Sequence, residues 1–221
     1  MTAFGKQAGL SQAAVNELFK GRGFERLVLA GGGVPRDVLS LFLEIHQQVQ
    51  QGDGKIGKDD VRIQSRANFD RRIEDLKQDS EGAEQSALIK GIYVLRKFCV
   101  TDKKSNVFLV AESTLQSNDR IRGLLYRLLD YRIIHSVASA VTHKSLSGTY
   151  HAFAIDIGCY AHMRVLDKKF TEIDLAEADA KERLRSGPTL EENAFDDLWK
   201  NAPANAEDAL KDQDVGDQVI A

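Results

Sequence analysis

Along residues 87–160 the spacing of apolar residues switches repeatedly between helical and extended periods, and this order restricts the fold more than any other feature. Ala87 to Phe98, "ALIKGIYVLRKF", puts Leu88, Ile92 and Leu95 on one side of a helix. "NVFLVA", Asn106 to Ala111, is an apolar run of strand length. In "SNDRIRGLLYRLLDYR" the residues Ile121, Leu124, Leu125, Leu128 and Leu129 recur at helical spacing, with Ser117 or Asn118 as N-cap. "IIHSVASAV" and "TYHAFAIDIGCY" then read as two strands joined by the polar turn "THKSLSG".

Helix, strand, helix or helices, strand, hairpin turn and strand is the order of a winged helix, a helix-turn-helix variant with an appended β-hairpin. The residues before it read as four helices with short connections. Ser11–Lys20 and Phe24–Ala30 come first, the second stopped by a run of glycines. Next comes a helix opened by Pro35, whose Val38, Leu41, Phe42, Ile45 and Val49 form an apolar stripe. The last runs from about Lys58 to Gln78, with Asp59 and Asp60 in its first turn. "QDSEGAEQ", Gln78 to Gln85, is a polar boundary. The expected fold is therefore mainly α (α+β): a helical bundle over residues 1–79, a winged-helix domain over 84–167 and an acidic, flexible tail over 168–221.

Charge divides along the same lines. The net charge of −3 is distributed as +1 over residues 1–80, +5 over 81–169 and −9 over 170–221. The last stretch is low in aromatic residues and reads as solvated. Within it "EIDLAEADAKERLR" has helical character, and Phe195, Leu198 and Trp199 suit a short docking helix. No apolar run approaches the roughly 20 residues that span a bilayer, and "MTAFGKQAGLSQ" lacks the apolar core of a secretory signal. The two cysteines, Cys99 and Cys159, have no metal-ligand spacing around them. The expectation is a cytoplasmic protein with buried, reduced thiols and no contact with membrane.

No nucleophile elbow, zinc ligand set or GxxxxGK[ST] phosphate loop is present, and His135, His143, His151 and His162 show no metal-ligand spacing. Neither a metal site nor a self-sufficient catalytic centre is expected. One residue invites a chemical reading. Arg36 stands in the first turn of a helix, where the partial positive charge of the helix end favours acids, just after Gly31 to Gly33 and Pro35. Free N–H groups, a close backbone approach and a guanidinium together make a phosphate clamp. The alternative is structural: the glycines make a tight turn and Arg36 pairs with Asp37 or Asp60.

The segment "LVLAGGGVPRDVLSLF" resembles the sensor-2 segment in the lid of AAA+ ATPases, in particular bacterial relatives of the origin-recognition group. The family's Gly-x-Pro-Arg motif is matched by Gly33, Val34, Pro35 and Arg36. "KIGKDDVRIQS" resembles the end of that lid, and "LLYRLLDYRIIHS" and "YHAFAIDIGCY" resemble the last helix and strand of the winged helix that commonly follows. The resemblance covers roughly Gly9 to Arg164. It implies that Gly33, Pro35 and Arg36 sense nucleotide, with Arg36 at the γ-phosphate of ATP. No Walker A loop, Walker B acid pair or arginine-finger region is recognisable. The ATP, with its Mg, would be held by an AAA+ nucleotide-binding domain elsewhere in a longer protein or in another chain, and this chain alone is not expected to hydrolyse ATP.

In a DNA-reading winged helix the second helix of the motif enters the major groove and the wing touches backbone. Arg120, Arg122, Arg127 and Arg132 decorate the candidate recognition helix, and His143 and Lys144 sit at the wing tip. These six are the candidate contacts to double-stranded DNA. A solvated basic face, or a protein-binding winged helix, is the competing reading. The rival for the whole chain is a freestanding, non-enzymatic winged-helix regulator or adaptor whose N-terminal bundle mediates dimerisation, and a homo-oligomer is a further expected partner state. The acidic tail, set against a basic middle, is expected to fold over the basic surface.

Overall fold

Local capping chemistry and apolar period account for most of the helices in the computed structural model of the chain, which describes residues 11–32, 34–50, 52–161, 170–174 and 177–210. The described residues are mainly helical, with one three-stranded antiparallel sheet. No described helix is long and apolar enough to cross a membrane. The chain divides into two compact units, one ending at Asn68 and the other starting at Phe69.

The first unit contains α1 (Gln12–Glu17), α2 (Gly23–Ala30), α3 (Pro35–Val49) and the first half of α4 (Lys58–Asp79). The Ser11 side chain caps α1 by accepting from the Ala14 N–H at 3.1 Å. The predicted stripe of α3 turns inward, with Val38, Leu41 and Ile45 buried alongside Leu27, Ala30, Ile56 and Val61. Between α2 and α3 the chain turns through Gly32, at φ +58°. Gly31 packs so closely on α3 that a Cβ there would lie 2.4 Å from Val38 Cγ2. The glycines thus serve a tight turn and a close approach.

The second unit begins with the C-terminal half of α4 and continues through α5 (Gly82–Arg96). A π-helical turn, Lys97–Asp102, extends α5 and carries Phe98, Cys99 and Val100 into the core. β1 (Val107–Ala111), α6 (Glu112–Ser117), α7 (Asp119–Asp130), β2 (Ile134–Thr142) and β3 (Thr149–Ile155) follow. Of the two candidate caps for α7 it is Asn118 that acts, its side-chain oxygen accepting from the Ile121 N–H at 3.0 Å. The last strand is shorter than its sequence suggests, because Ile157–Cys159 forms a 3-10 turn around the Asp156 cap. The strand order is β1-β3-β2, with both pairings antiparallel. β2 is bulged against β3, with register shifts on either side of Ala138.

The acidic stretch expected to be a flexible tail is, over residues 170–174 and 177–210, part of the fold. Phe108 and Phe153 stack on one face of the sheet, while Val107, Leu109, Tyr150 and Ala152 on the other are covered by Ile173, Ala180 and Leu184. α8 (Ala180–Leu184) and α9 (Glu192–Asn201) belong to this covering segment, which also buries Leu190, Phe195, Ala206 and Leu210. The Asn106 side chain accepts from the Ile173 N–H at 2.8 Å and donates to the Ile173 carbonyl at 3.2 Å. Leu109 donates to the Pro188 carbonyl and accepts from the Leu190 N–H, both at 2.8 Å, so Thr189 shields the outer edge of β1. Buried Arg96 holds the Leu210 carbonyl at 3.0 Å. Mean acidity hid these contacts because few apolar residues, widely spaced, suffice to dock the segment.

Candidate functional site

Two groups of residues in separate units carry the functional expectations. In the first, Val34 is extended (φ −84°, ψ 114°) and Pro35 occupies the first helical position of α3. The Val34 carbonyl accepts from both the Asp37 and Val38 N–H groups at 3.0 Å, tightening the turn on which Arg36 stands. Arg36 is exposed and, among the described residues, makes no hydrogen bond or ion pair. Asp60 is engaged elsewhere: its Oδ2 accepts from the Gly57 N–H at 2.8 Å, half of a capping box at the start of α4. Asp37 is buried. The structural alternative, an ion pair from Arg36 to either acid, is not what the unit forms. Gly33 lies outside the described residues.

The second group surrounds α7. Its buried side is Ile121, Leu124, Leu125 and Leu128. At 100° per residue the opposite side is Asp119, Gly123, Tyr126 and Asp130, all exposed. The centre of the outward face is thus acidic and aromatic, with Arg120 and Arg127 on one flank and Arg122 on the other. Arg132 is not on the helix. It occupies the left-handed position after it, at φ +56°, with its N–H on the Leu129 carbonyl at 2.9 Å and the Ile133 N–H on the Leu128 carbonyl at 3.0 Å. This is a Schellman cap with arginine where glycine is usual.

The cations on the flanks are engaged within the unit. Arg122 holds the Leu115 carbonyl at 3.1 Å and the Asp119 carboxylate at 2.5 Å, tying α6 to α7. Arg127 pairs with Glu84 at 3.0 Å and lies over the Tyr131 ring. Arg120 pairs with Asp196, and its guanidinium lies 5.3 Å from the Phe195 ring centroid and 5.5 Å from that of Trp199. Beside it Asn118 donates to Glu192 at 2.6 Å. At the hairpin, His143 Nδ1 accepts from the Ser145 and Leu146 N–H groups at 3.1 Å, so it shapes the turn. Lys144 Nζ reaches Glu182 at 2.9 Å, and the Lys144 N–H donates to the Arg185 carbonyl at the same distance. The Lys144 hydrogen bond and charge, with Arg185 nearby, hold the Glu182 carboxyl below its ordinary value.

A polar cluster that residue spacing does not announce lies nearby. Asp156, 2% exposed, accepts from Arg72 at 2.6 Å and from the Gly158 N–H at 2.8 Å, and lies 2.9 Å from His135 Nε2. Burial alone would raise this carboxyl, but the His135 hydrogen bond, the Arg72 charge and the Gly158 N–H hold it below its ordinary value. Its partners come from α4, β2 and the turn after β3, which is why no local motif marks them. The only available signal was an acid, Asp156, inside an otherwise apolar strand pattern. No group of three or more His, Cys, Asp or Glu side chains suited to a metal ion occurs among the described residues.

Neither the Arg36 turn nor the α7 surface gains a precedent from known proteins: no family model, curated protein or solved structure matches this chain.

Proposed function

We propose that the chain is the lid and winged-helix part of an AAA+ ATPase resembling origin-recognition proteins. In this reading Arg36 contacts the γ-phosphate of ATP held, with Mg, by a nucleotide-binding domain outside these residues, and the second unit contacts double-stranded DNA. The observation that carries it is the exposed Arg36 side chain, without a partner among the described residues, in the first turn of a 15-residue helix. A cation in that position repels the helix end unless an anion joins them. Further support comes from the order helix, strand, two helices, strand, strand and the sheet order β1-β3-β2 in the second unit. Of the six candidate DNA contacts, Arg120, Arg127 and Lys144 suit backbone phosphates, because the acids they pair with are half exposed and can be exchanged, and Arg132 is exposed at the end of α7. Arg122 and His143 are committed to local structure.

The test is ATP turnover. The chain alone should hydrolyse none, and Arg36-dependent hydrolysis by the isolated chain would refute the proposal. In a complex reconstituted with a P-loop nucleotide-binding domain, encoded upstream in the same reading frame or captured on the tagged chain, Arg36→Ala should lower turnover roughly 100-fold or more, as loss of one preorganised charge contact does.

A second reading is favoured by one observation. The outward face of α7 is Asp119, Gly123, Tyr126 and Asp130, an unfavourable surface for phosphate. A freestanding adaptor that docks a protein there accounts for it. Duplex DNA affinity that falls steeply with salt supports the first reading, and its absence at low salt supports the second.

A further inference from the structure

We propose that the carboxylates of Glu182 and Asp196 are built-in stand-ins for DNA phosphates, masking Lys144 and Arg120 until a duplex displaces them. This rests on the DNA-binding reading of the second unit and names its regulation. The two cations belong to the places where such a unit meets backbone, the start of α7 and the hairpin tip. Each is paired with an acid from the same C-terminal segment: Arg120 with Asp196 and Lys144 with Glu182. The stretch supplying the acids carries −9 and the stretch they cover carries +5.

The geometry makes the mask a side-chain exchange and not an unfolding event. Phe195 is fully buried and Leu184 nearly so, which anchors α9 and α8 whatever the acids do. The Asp196 and Glu182 side chains are 52% and 58% exposed. Each can swing into solvent while its helix stays docked. The Phe195 and Trp199 rings keep the Arg120 guanidinium oriented throughout. A phosphate oxygen arriving there takes over the hydrogen bond that Asp196 gives up. Because both acids must yield, weak or isolated anions gain little, whereas a duplex offering phosphates to both cations gains twice.

The experiment measures binding of a fluorescent 20-base-pair duplex across a salt series. It compares the wild-type chain with Glu182→Gln/Asp196→Asn. A control of equal charge, Glu191→Gln/Asp197→Asn, alters exposed acids whose carboxylates make no ion pair among the described residues. The masked-pair variant should bind roughly tenfold tighter at low salt, with log K against log[salt] steeper by up to about 1.8, the slope of two added phosphate contacts. The control should gain much less, and adding Arg120→Ala and Lys144→Ala to the masked-pair variant should erase the gain. Equal gains in both variants, or a gain that survives loss of Arg120 and Lys144, would overturn the mask. Equal wild-type and variant affinities with a measurable salt slope would overturn it while leaving DNA binding intact. If no form binds the duplex at low salt, the DNA reading and the mask both fall.

Discussion

The Arg72 guanidinium donates to Asp156 Oδ2 at 2.6 Å and, from the same nitrogen, to the Arg132 carbonyl at 2.9 Å. It thereby pins the end of α7 and the turn after β3 to one point on α4. Arg72 is 19% and Asp156 2% exposed at the side chain, so each removes a charge from water, and the Asp156 carboxylate is balanced by Arg72 together with His135 and the Gly158 N–H. Removing one partner leaves a buried charge. Arg72→Met or Asp156→Ala is expected to cost about 3–5 kcal/mol, read from urea unfolding at neutral pH. A loss below about 1 kcal/mol for both would show the cluster to be solvated.

The same carboxylate sets an acid limit. Its pKa in the fold lies below the ordinary value, so the unfolded chain binds its proton first as pH falls. The stabilisation is fully present above about pH 4, the unfolded value, and is lost as pH drops through the lower folded value. Asp156→Asn, although less stable at neutral pH, should therefore lose less further stability between about pH 5 and pH 3 than wild type. Parallel stability–pH curves would contradict this.

Arg132 stands in a left-handed conformation that costs an L-residue about 1–2 kcal/mol and costs glycine little. Arg132→Gly keeps the backbone carbonyl that Arg72 holds. It should raise the midpoint of chemical denaturation while weakening duplex binding. Opposite signs from one substitution would mark the arginine as kept for its side chain, whereas a fall in stability would make it part of the cap.

The helical period and N-cap residues made α3 and α7 legible, and the Pro35–Arg36 helix start was readable because charge and position conflict there. What escaped the sequence depends on distant residues. Arg132 looked helical because its side chain continues the basic pattern, but the cap after Asp130 is set by backbone hydrogen bonds. A short docking helix around Phe195 and Trp199 was legible, but the covering of the sheet by Ile173, Ala180 and Leu184 was not, because acidity was averaged over the segment. Its signal lay on the strand it covers: "NVFLVA" is apolar on both faces, and a strand open to water on one side alternates. The arginines of α7 were read as a binding face by type alone, while the use of Arg120 and Arg127 depends on acids far along the chain, Asp196 and Glu84.

Gly91 of α5 is buried, and a Cβ there would lie 2.6 Å from Leu124 Cδ1 and 3.1 Å from its Cγ. Gly91→Ala should cost about 1–3 kcal/mol through overpacking between α5 and α7. Leu124→Ala alone leaves a cavity, but in the Gly91→Ala background it makes room for the new methyl. The double variant should therefore be more stable than the two single losses added together, by at least about 1 kcal/mol. Strict additivity would mean that Leu124 moves aside without cost.

Burial pushes the Cys99 thiol well above its ordinary pKa, with Cys159 adding to the effect. At neutral pH it is protonated and shielded, and the thiolate is the reactive form. A water-soluble disulfide reagent should modify Cys99 only as fast as the chain opens, and at once in denaturant. Rapid stoichiometric modification of Cys99 in the native chain, located by peptide mass, would contradict this.

Arg36 and Asp60 allow structural and functional roles in the first unit to be separated. Asp60 accepts from the Gly57 N–H at the start of α4, so Asp60→Ala should cost about 1 kcal/mol, the usual worth of a helix cap. Arg36 holds nothing among the described residues, and its charge opposes the helix end. Arg36→Ala should leave stability within about 0.5 kcal/mol of wild type, and Arg36→Glu should match or exceed wild type. A residue that is neutral to fold stability when removed, favourable when its charge is reversed, and yet necessary for ATP turnover in the assembled ATPase is kept for an anion outside the unit. If Arg36→Ala instead destabilises as much as Asp60→Ala, the arginine is part of the turn and the nucleotide-sensing proposal loses its main support.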